Sequence, residues 1–303
     1  MRRREFVRAL AGAGATGTVA ASGCLSSGGV TVLSAGSLAV VLDEGVGPAF
    51  EDDTGTAYSG EYYGSTAVMR MVQEGQKSPA VVVSADAGLL RERLYDEYAD
   101  WDVVFASNSV GIAYNEDTRV GERLEDGDTW YEVLRDADKG EVAISDPDLD
   151  PLGYRAVQMF ELAEEKYGLD GFKDGMLAKV YKEPQEAQLL AGVRSGTRSA
   201  AIAYGNMAVD HGIPFLELPD DINFSDPELT DKYAEATYTM EDGTTVEGSP
   251  VLYNATVLKD SKRRDAGTAF VSFLLDSDET LADNGLTIVD PRYNGDVPEE
   301  VSS

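Results

Sequence analysis

Short apolar runs alternate with helix-period patterns along most of this chain. Residues 30–33, 57–62, 81–83, 103–105, 141–144, 200–204, 215–218 and 251–258 are apolar runs of strand length, bounded by polar or glycine-containing turns. Between them, 40–51, 65–74, 152–165 and 184–194 carry helical spacing. In 152–165 the residues Ala156, Met159, Phe160 and Ala163 recur on one face, and after the last strand Ala266, Ala269, Phe270, Phe273 and Leu274 do the same. Alternation of this kind predicts an α/β fold. About 275 residues beyond the N-terminal segment exceed one comfortable core, so two lobes are expected. Loop signals at 105–111 and the polar stretch 219–231 mark the crossings between them. Trp101 and Trp130 lie in segments that read as core.

The N-terminus does not fit this pattern. Arg3-Arg4, a spacer and Phe6-Val7 precede a mildly apolar Ala/Gly/Val stretch, the form of a twin-arginine export signal over 1–23. That stretch is too short and too rich in Gly and Ala to span a bilayer. It ends at Cys24, the one cysteine of the chain, which opens a Ser/Gly tether over 24–29. Position makes Cys24 a lipidation site rather than a buried thiol. The protein is then expected on the extracellular face of the cell membrane, attached through the lipid alone.

Charge changes the picture of the surface. The net charge is −30, with 43% hydrophobic residues, enough apolar periodicity to fold and not to be disordered. A carboxylate-rich, lysine-poor surface suits a halophilic protein in concentrated salt. Nucleic acid is excluded as a partner, because no basic patch exists to neutralise phosphates. The sequons at Asn223 and Asn254 are compatible with a cell-surface location.

Candidate chemistry is sparse for an enzyme. His211 is the one histidine and reads as a surface or capping residue, so a His-based metal site or Ser/His pair lacks members. No P-loop or dinucleotide fingerprint is present. Polar residues instead stand where strands end and helices begin: Ser37, Ser65, Asp150 ahead of Pro151, and Glu186 just after Pro184. All four are ordinary capping or first-turn types. Helix starts also offer free N–H groups to anions, and in open α/β sheets the ligand crevice lies at the carboxyl ends of strands.

In order along the chain, these residues resemble the archaeal molybdate/tungstate-binding proteins of ABC importers, a branch of the type II periplasmic-binding-protein fold. Ser34-Ala-Gly-Ser-Leu38 resembles the first anion loop of that family, Gly64-Ser65-Thr-Ala67 the second, and Ser84-Ala-Asp86 follows. Ser145-Asp-Pro-Asp-Leu-Asp-Pro-Leu-Gly-Tyr-Arg155 is similar to the segment with an Asp-Pro metal ligand. Glu186-Ala-Gln-Leu189 falls at the second carboxylate, with Glu183 as the alternative three residues earlier. Ala203-Tyr204 resembles the region of the ligand-facing tyrosine, although Gly205-Asn206 replaces the family's Lys-Ser and a segment usual before the second carboxylate is missing.

The resemblance implies two lobes, 30–107 plus 219–303 and 108–218, each a mixed sheet flanked by helices with the ligand cleft between them. It implies a monomeric receptor with no cofactor and no catalysis, delivering molybdate or tungstate to an ABC permease. Ser37, Leu38, Ser65, Asp148, Leu149 and Tyr204 would hold the oxyanion, and Asp150 and Glu186 would coordinate its metal. A receptor for another tetrahedral oxyanion such as sulfate is the alternative on the same fold. A surface hydrolase using a carboxylate pair is the rival from another class.

Overall fold

The computed structural model describes residues 29–302. The expected export signal and Cys24 lie outside the described residues. Thirteen strands are present among them: β1 (Val30–Ala35), β2 (Tyr58–Tyr63), β3 (Val81–Ser84), β4 (Trp101–Ser107), β5 (Val110–Tyr114), β6 (Val142–Ser145), β7 (Tyr181–Glu183), β8 (Ala200–Tyr204), β9 (Phe215–Glu217), β10 (Thr237–Thr239), β11 (Thr245–Glu247), β12 (Leu252–Val257) and β13 (Thr287–Gly295). They form a six-stranded sheet in the order β13-β4-β12-β3-β1-β2, a five-stranded sheet in the order β7-β6-β8-β5-β9, and a ribbon of β10 and β11. Both main sheets are mixed and flanked by helices, so the fold is the expected α/β type.

Burial explains the strand sequences. Every residue of β3, β4, β5, β6 and β8 is buried, as expected where helices cover both faces, and Trp101 is core. The edge strand β2 alternates half-buried and exposed residues over most of its length. In the six-stranded sheet β1 pairs in parallel with β2 and β3; in the five-stranded sheet β6 pairs in parallel with β7 and β8. Each lobe therefore presents three neighbouring parallel strands whose carboxyl ends lie side by side.

Two expectations need correction. The stretch 105–111, read as a loop, is the end of β4 and the start of β5, with only 108–109 crossing between sheets. Gly111 belongs inside a strand because a Cβ there would stand 2.4 Å from the Phe215 ring and 2.6 Å from the Leu216 carbonyl. The segment 184–194 is not one helix. Pairing of β7 with β6 draws the preceding residues into the sheet, Gln185 is extended, a single tight turn spans Glu186–Gln188, and the α-helix covers only Leu189–Arg194.

The return segment 219–251 adds no strand to either main sheet. It packs along the helix Pro151–Tyr167: Lys166 pairs with Asp221 at 2.6 Å and Lys232 with Glu165 at 3.1 Å, while Gln158 Nε2 donates to the Val246 carbonyl at 3.0 Å. The tip of its ribbon reaches the first lobe, where Asp242 meets Arg93 at 3.5 Å. Both sequons prove inaccessible in the folded chain. Asn223 and Asn254 are buried, and their amides donate to the Leu218 carbonyl and to Asp102, each at 2.9 Å.

The lobes are closed on each other. Ala67 N donates to the Leu149 carbonyl at 3.0 Å, and Asn206 Nδ2 donates to the Ser37 carbonyl at 2.6 Å. Glycine makes this approach feasible: a Cβ on Gly64 would lie 2.3 Å from the Leu149 oxygen and 2.7 Å from Asp150 Cβ. The Gly64 backbone itself suits any L-residue, at φ −58° and ψ 140°. Gly64→Ala is therefore expected to block closure without harming either lobe. The radius of gyration from small-angle scattering should rise, while Tm moves by no more than about 4 °C, the scale of roughly 1 kcal/mol in a chain of this size.

Candidate functional site

Three parallel strands in each lobe deliver the site. In the first, β1 runs into the turn Gly36–Leu38, β2 into the helix Ser65–Gln73, and β3 into Asp86, the cap of helix Ala87–Leu94. In the second, β6 leads to Asp150, β7 to Glu186, and β8 ends at Tyr204. Asp150 caps the helix Pro151–Tyr167, accepting from Leu152 N at 3.2 Å, and Pro151 suits the first helical position. These are the strand ends at which α/β sheets place ligands.

The two acids are buried, Asp150 at 2% and Glu186 at 1% exposure. Each has one oxygen held by a backbone N–H: Leu152 N for Asp150 Oδ1, and Gly36 N of the opposite lobe for Glu186 Oε2 at 2.7 Å. The other oxygens, Asp150 Oδ2 and Glu186 Oε1, have no hydrogen-bond partner among the described residues. Such an atom costs about 1–3 kcal/mol when buried, so the closed seam carries two acceptors without donors. Burial pushes the Asp150 carboxyl up to about 7, against the pull of Ser145, Leu152 N–H and the Arg155 charge. Burial first, and then the neighbouring Asp150 charge, push Glu186 well above its ordinary value, against hydrogen bonds from the Ser37 hydroxyl and the Gly36 and Ser37 N–H groups.

Hydroxyl groups surround this pair with a common polarity. Ser65 Oγ accepts from Ala85 N at 3.0 Å. Ser37 Oγ accepts from the Tyr253 hydroxyl at 3.1 Å, which itself accepts from Asn108 Nδ2 at 3.3 Å. Tyr204 OH accepts from Arg155 Nη1 at 2.9 Å. A hydroxyl has one proton to give, and here each receives a bond from the protein behind it. The Ser65 and Tyr204 protons are then free for another acceptor, while the Ser37 hydroxyl also bonds the Glu186 carboxyl. Burial holds Tyr204 well above the ordinary tyrosine range, and Tyr253, Asp150 and Glu186 add to this against the Arg155 charge, so its proton stays on.

Ser37, Ser65, Asp150, Glu186 and Tyr204 are thus brought to one buried seam. Leu38 is buried in the first turn, and Leu149 contributes its carbonyl to Ala67. Asp148 is directed elsewhere: its carboxylate accepts from Glu241 N at 2.8 Å and the Tyr238 hydroxyl at 3.1 Å, tying it to the ribbon. Glu183 stays half-buried in β7, whereas Glu186 reaches across to Gly36. His211 ends the helix Gly205–His211, half-buried. Sequence reasoning missed Tyr253, Asn108 and the bridging role of Asn206, all uncharged residues inside or beside strands. Arg155, a cation amid core positions of a helix, was the visible signal that went unused.

The buried pair makes stability pH-dependent. A carboxyl raised in the folded state binds its proton more tightly there than in the unfolded chain. Its contribution is present below the ordinary value near 3.8 and is lost as pH rises through about 7. Asp150→Asn with Glu186→Gln should flatten this slope and raise the Tm of the unliganded protein at pH 8 by roughly 5 °C, read by thermal melts from pH 4 to 8.

Comparison with known proteins agrees with the geometry. The family described as bacterial extracellular solute-binding protein matches residues 30–287. An uncharacterized solute-binding protein of Halobacterium salinarum is 43% identical over 302 residues, covering 98% of this chain and 96% of its own length. A putative ABC transporter molybdenum-binding protein of Haloferax volcanii is 37% identical, covering 98% and 95%. Among solved structures, the periplasmic molybdate-binding protein of Azotobacter vinelandii superposes with a TM-score of 0.62 at 14% identity, over 86% of this chain and 100% of that one, a likeness of fold. With its paired mixed sheets and strand-end seam, the chain belongs to the extracellular solute-binding protein family, whose members are receptors and not enzymes.

Proposed function

We propose that this receptor captures molybdate or tungstate and delivers it to an ABC permease. The reading rests on one observation above the others: two buried carboxyl oxygens without donors stand on a seam otherwise supplied with hydroxyl protons. An anion needs the protons. A hexavalent metal centre that can expand from four towards six ligands also needs electron pairs, and Asp150 and Glu186 would supply them. Sulfate cannot expand in this way, and two carboxylates would repel it, so the same pair excludes the commoner anion. The description of the Haloferax relative as molybdenum-binding points in the same direction.

Ser37, Ser65 and Tyr204 would hold the oxyanion oxygens, with backbone N–H groups at Ser37 and Leu38. Closure buries the ligand, and the closed form is what a permease would read. Residues 30–107 with 219–303 and residues 108–218 would be the two lobes, except that 219–251, packed along the helix Pro151–Tyr167, would move with the second. We include in this reading export through Arg3-Arg4, a lipid anchor on Cys24, a monomeric state and a surface adapted to high salt.

Calorimetric titration with molybdate, tungstate and sulfate in concentrated salt tests the proposal. Molybdate and tungstate should bind, and sulfate should be far weaker. Asp150→Ala should lower tungstate affinity by at least the roughly 10–100-fold that losses around a metal site cost. X-ray absorption at the tungsten edge should show more than four oxygen neighbours in the wild type and fewer in the variant. Equal or exclusive sulfate binding would overturn the coordination mechanism.

A further inference from the structure

Arg155 is the one fully buried arginine or lysine among the described residues, and the function just proposed gives it no task. It projects from the helix Pro151–Tyr167, directly after Tyr154, in a stretch where Leu152, Ala156 and Met159 pack as core. A guanidinium is costly to bury, and an apolar side chain of similar volume would hold such a helix at least as well. What the charge adds is a set of directed bonds.

Those bonds divide between the lobes. Towards its own lobe, Nη1 donates to Tyr204 OH at 2.9 Å. Towards the opposite lobe, Nη2 donates to Asp86 Oδ2 at 2.8 Å and Nη1 to the Ala85 carbonyl at 3.1 Å. Towards the return segment, Nη2 and Nε donate to the carbonyls of Pro250 and Ser249 at 3.3 and 3.4 Å. Tyr154 adds a second bond across the seam, its hydroxyl donating to Asp86 Oδ2 at 2.8 Å. Asp86 is fixed in turn, because its Oδ1 caps Leu89 N at 3.0 Å. Ala85 serves both sides of the seam: its carbonyl receives Arg155, and its N–H donates to Ser65.

The planar fork of an arginine can serve two partners at once only while both are in place. When the lobes part, Asp86 and Ala85 leave, and the guanidinium, left with only the two longest of its other bonds, to the Pro250 and Ser249 carbonyls, can turn away from Tyr204. When they meet, the fork is locked, and Tyr204 must accept from it and offer its own proton elsewhere. We propose that Arg155 is a positioning residue that couples lobe closure to the donor orientation of Tyr204, so that the tyrosine proton is presented to the bound oxyanion only in the closed state. The inference rests on the oxyanion reading of the site and deepens it: closure completes the donor set as well as excluding water.

A double-mutant cycle separates this role from a purely structural one. Asp86 and Tyr204 lie on opposite lobes and share Arg155 as their common partner, so independent structural roles would give additive effects. Tungstate affinity is measured by calorimetry in concentrated salt for wild type, Asp86→Asn, Tyr204→Phe and the double variant. Asparagine keeps the Leu89 cap, and both changes are small, which keeps the cycle readable even if Arg155 variants fold poorly.

Each single change is expected to weaken binding by roughly tenfold, the scale of one hydrogen bond to a charged group. The double variant is expected to be no weaker than the weaker single. Arg155→Lys, which keeps the charge and loses the fork, should match the double variant. Additive losses approaching 100-fold in the double variant, or an Arg155→Lys protein with unchanged affinity, would overturn the coupling while leaving the oxyanion reading intact. A wild-type protein that binds neither tungstate nor molybdate would overturn both.

Discussion

Two carboxyl groups held out of water on a seam between two lobes set the terms for everything around them. Burying a carboxylate is unfavourable unless the charge is removed by a proton, spread over hydrogen bonds or shared with a positive centre. Here Asp150 is held by the Leu152 N–H and Glu186 by the turn Gly36–Ser37, and each keeps one oxygen without a donor among the described residues. Both come from the second lobe, while the N–H that Glu186 accepts comes from Gly36 of the first. The pair is therefore complete only where the lobes touch, and the close backbone approaches at Gly36 and Gly64 serve that contact.

The hydroxyls around the acids obey the complementary constraint. Ser37, Ser65 and Tyr204 are each anchored from behind by a protein donor, which leaves the Ser65 and Tyr204 protons available and turns the Ser37 hydroxyl to Glu186. The proposed ligand, an anion with a Lewis-acidic centre, would use both the free protons and the free electron pairs of this seam. The net charge of −30 does not contradict this. In the concentrated salt proposed for its surroundings, about 1 M, the Debye length would be near 3 Å, so the surface field would barely extend into solution and the local donors would dominate.

Much of the α/β architecture was legible in the sequence because its signals are local. β8 matches its expected span, and β3 and the helix Ser65–Gln73 differ from theirs by a single terminal residue, since apolar runs and helical periods are properties of neighbouring residues. The start of the helix Pro151–Tyr167 was equally readable from Asp150-Pro151, whereas its end, at Tyr167 before Gly168 with φ 63°, lies two residues beyond the expected 165. Where local signals failed, a distant partner had decided the outcome. Gly111 reads as a turn residue until Phe215 occupies the space beside it. Residues 184–188 read as helix until β6 claims β7.

Ser37, Ser65, Asp150 and Glu186 were nameable from sequence because each stands where a helix was read to begin, and Tyr204 was named only through the family resemblance. By itself the sequence determined the α/β alternation, the strand-end placement of these residues, and the acidic, nearly histidine-free and cysteine-poor chemistry. Only the tertiary structure decided which of them share a seam, that the Asp148 carboxylate turns to the ribbon while Glu186 turns to Gly36, and that Arg155 joins Asp86 to Tyr204. The physical reason is that hydrogen-bond partners 49, 69 and 150 residues apart meet through sheet order and lobe closure, and no local period encodes either.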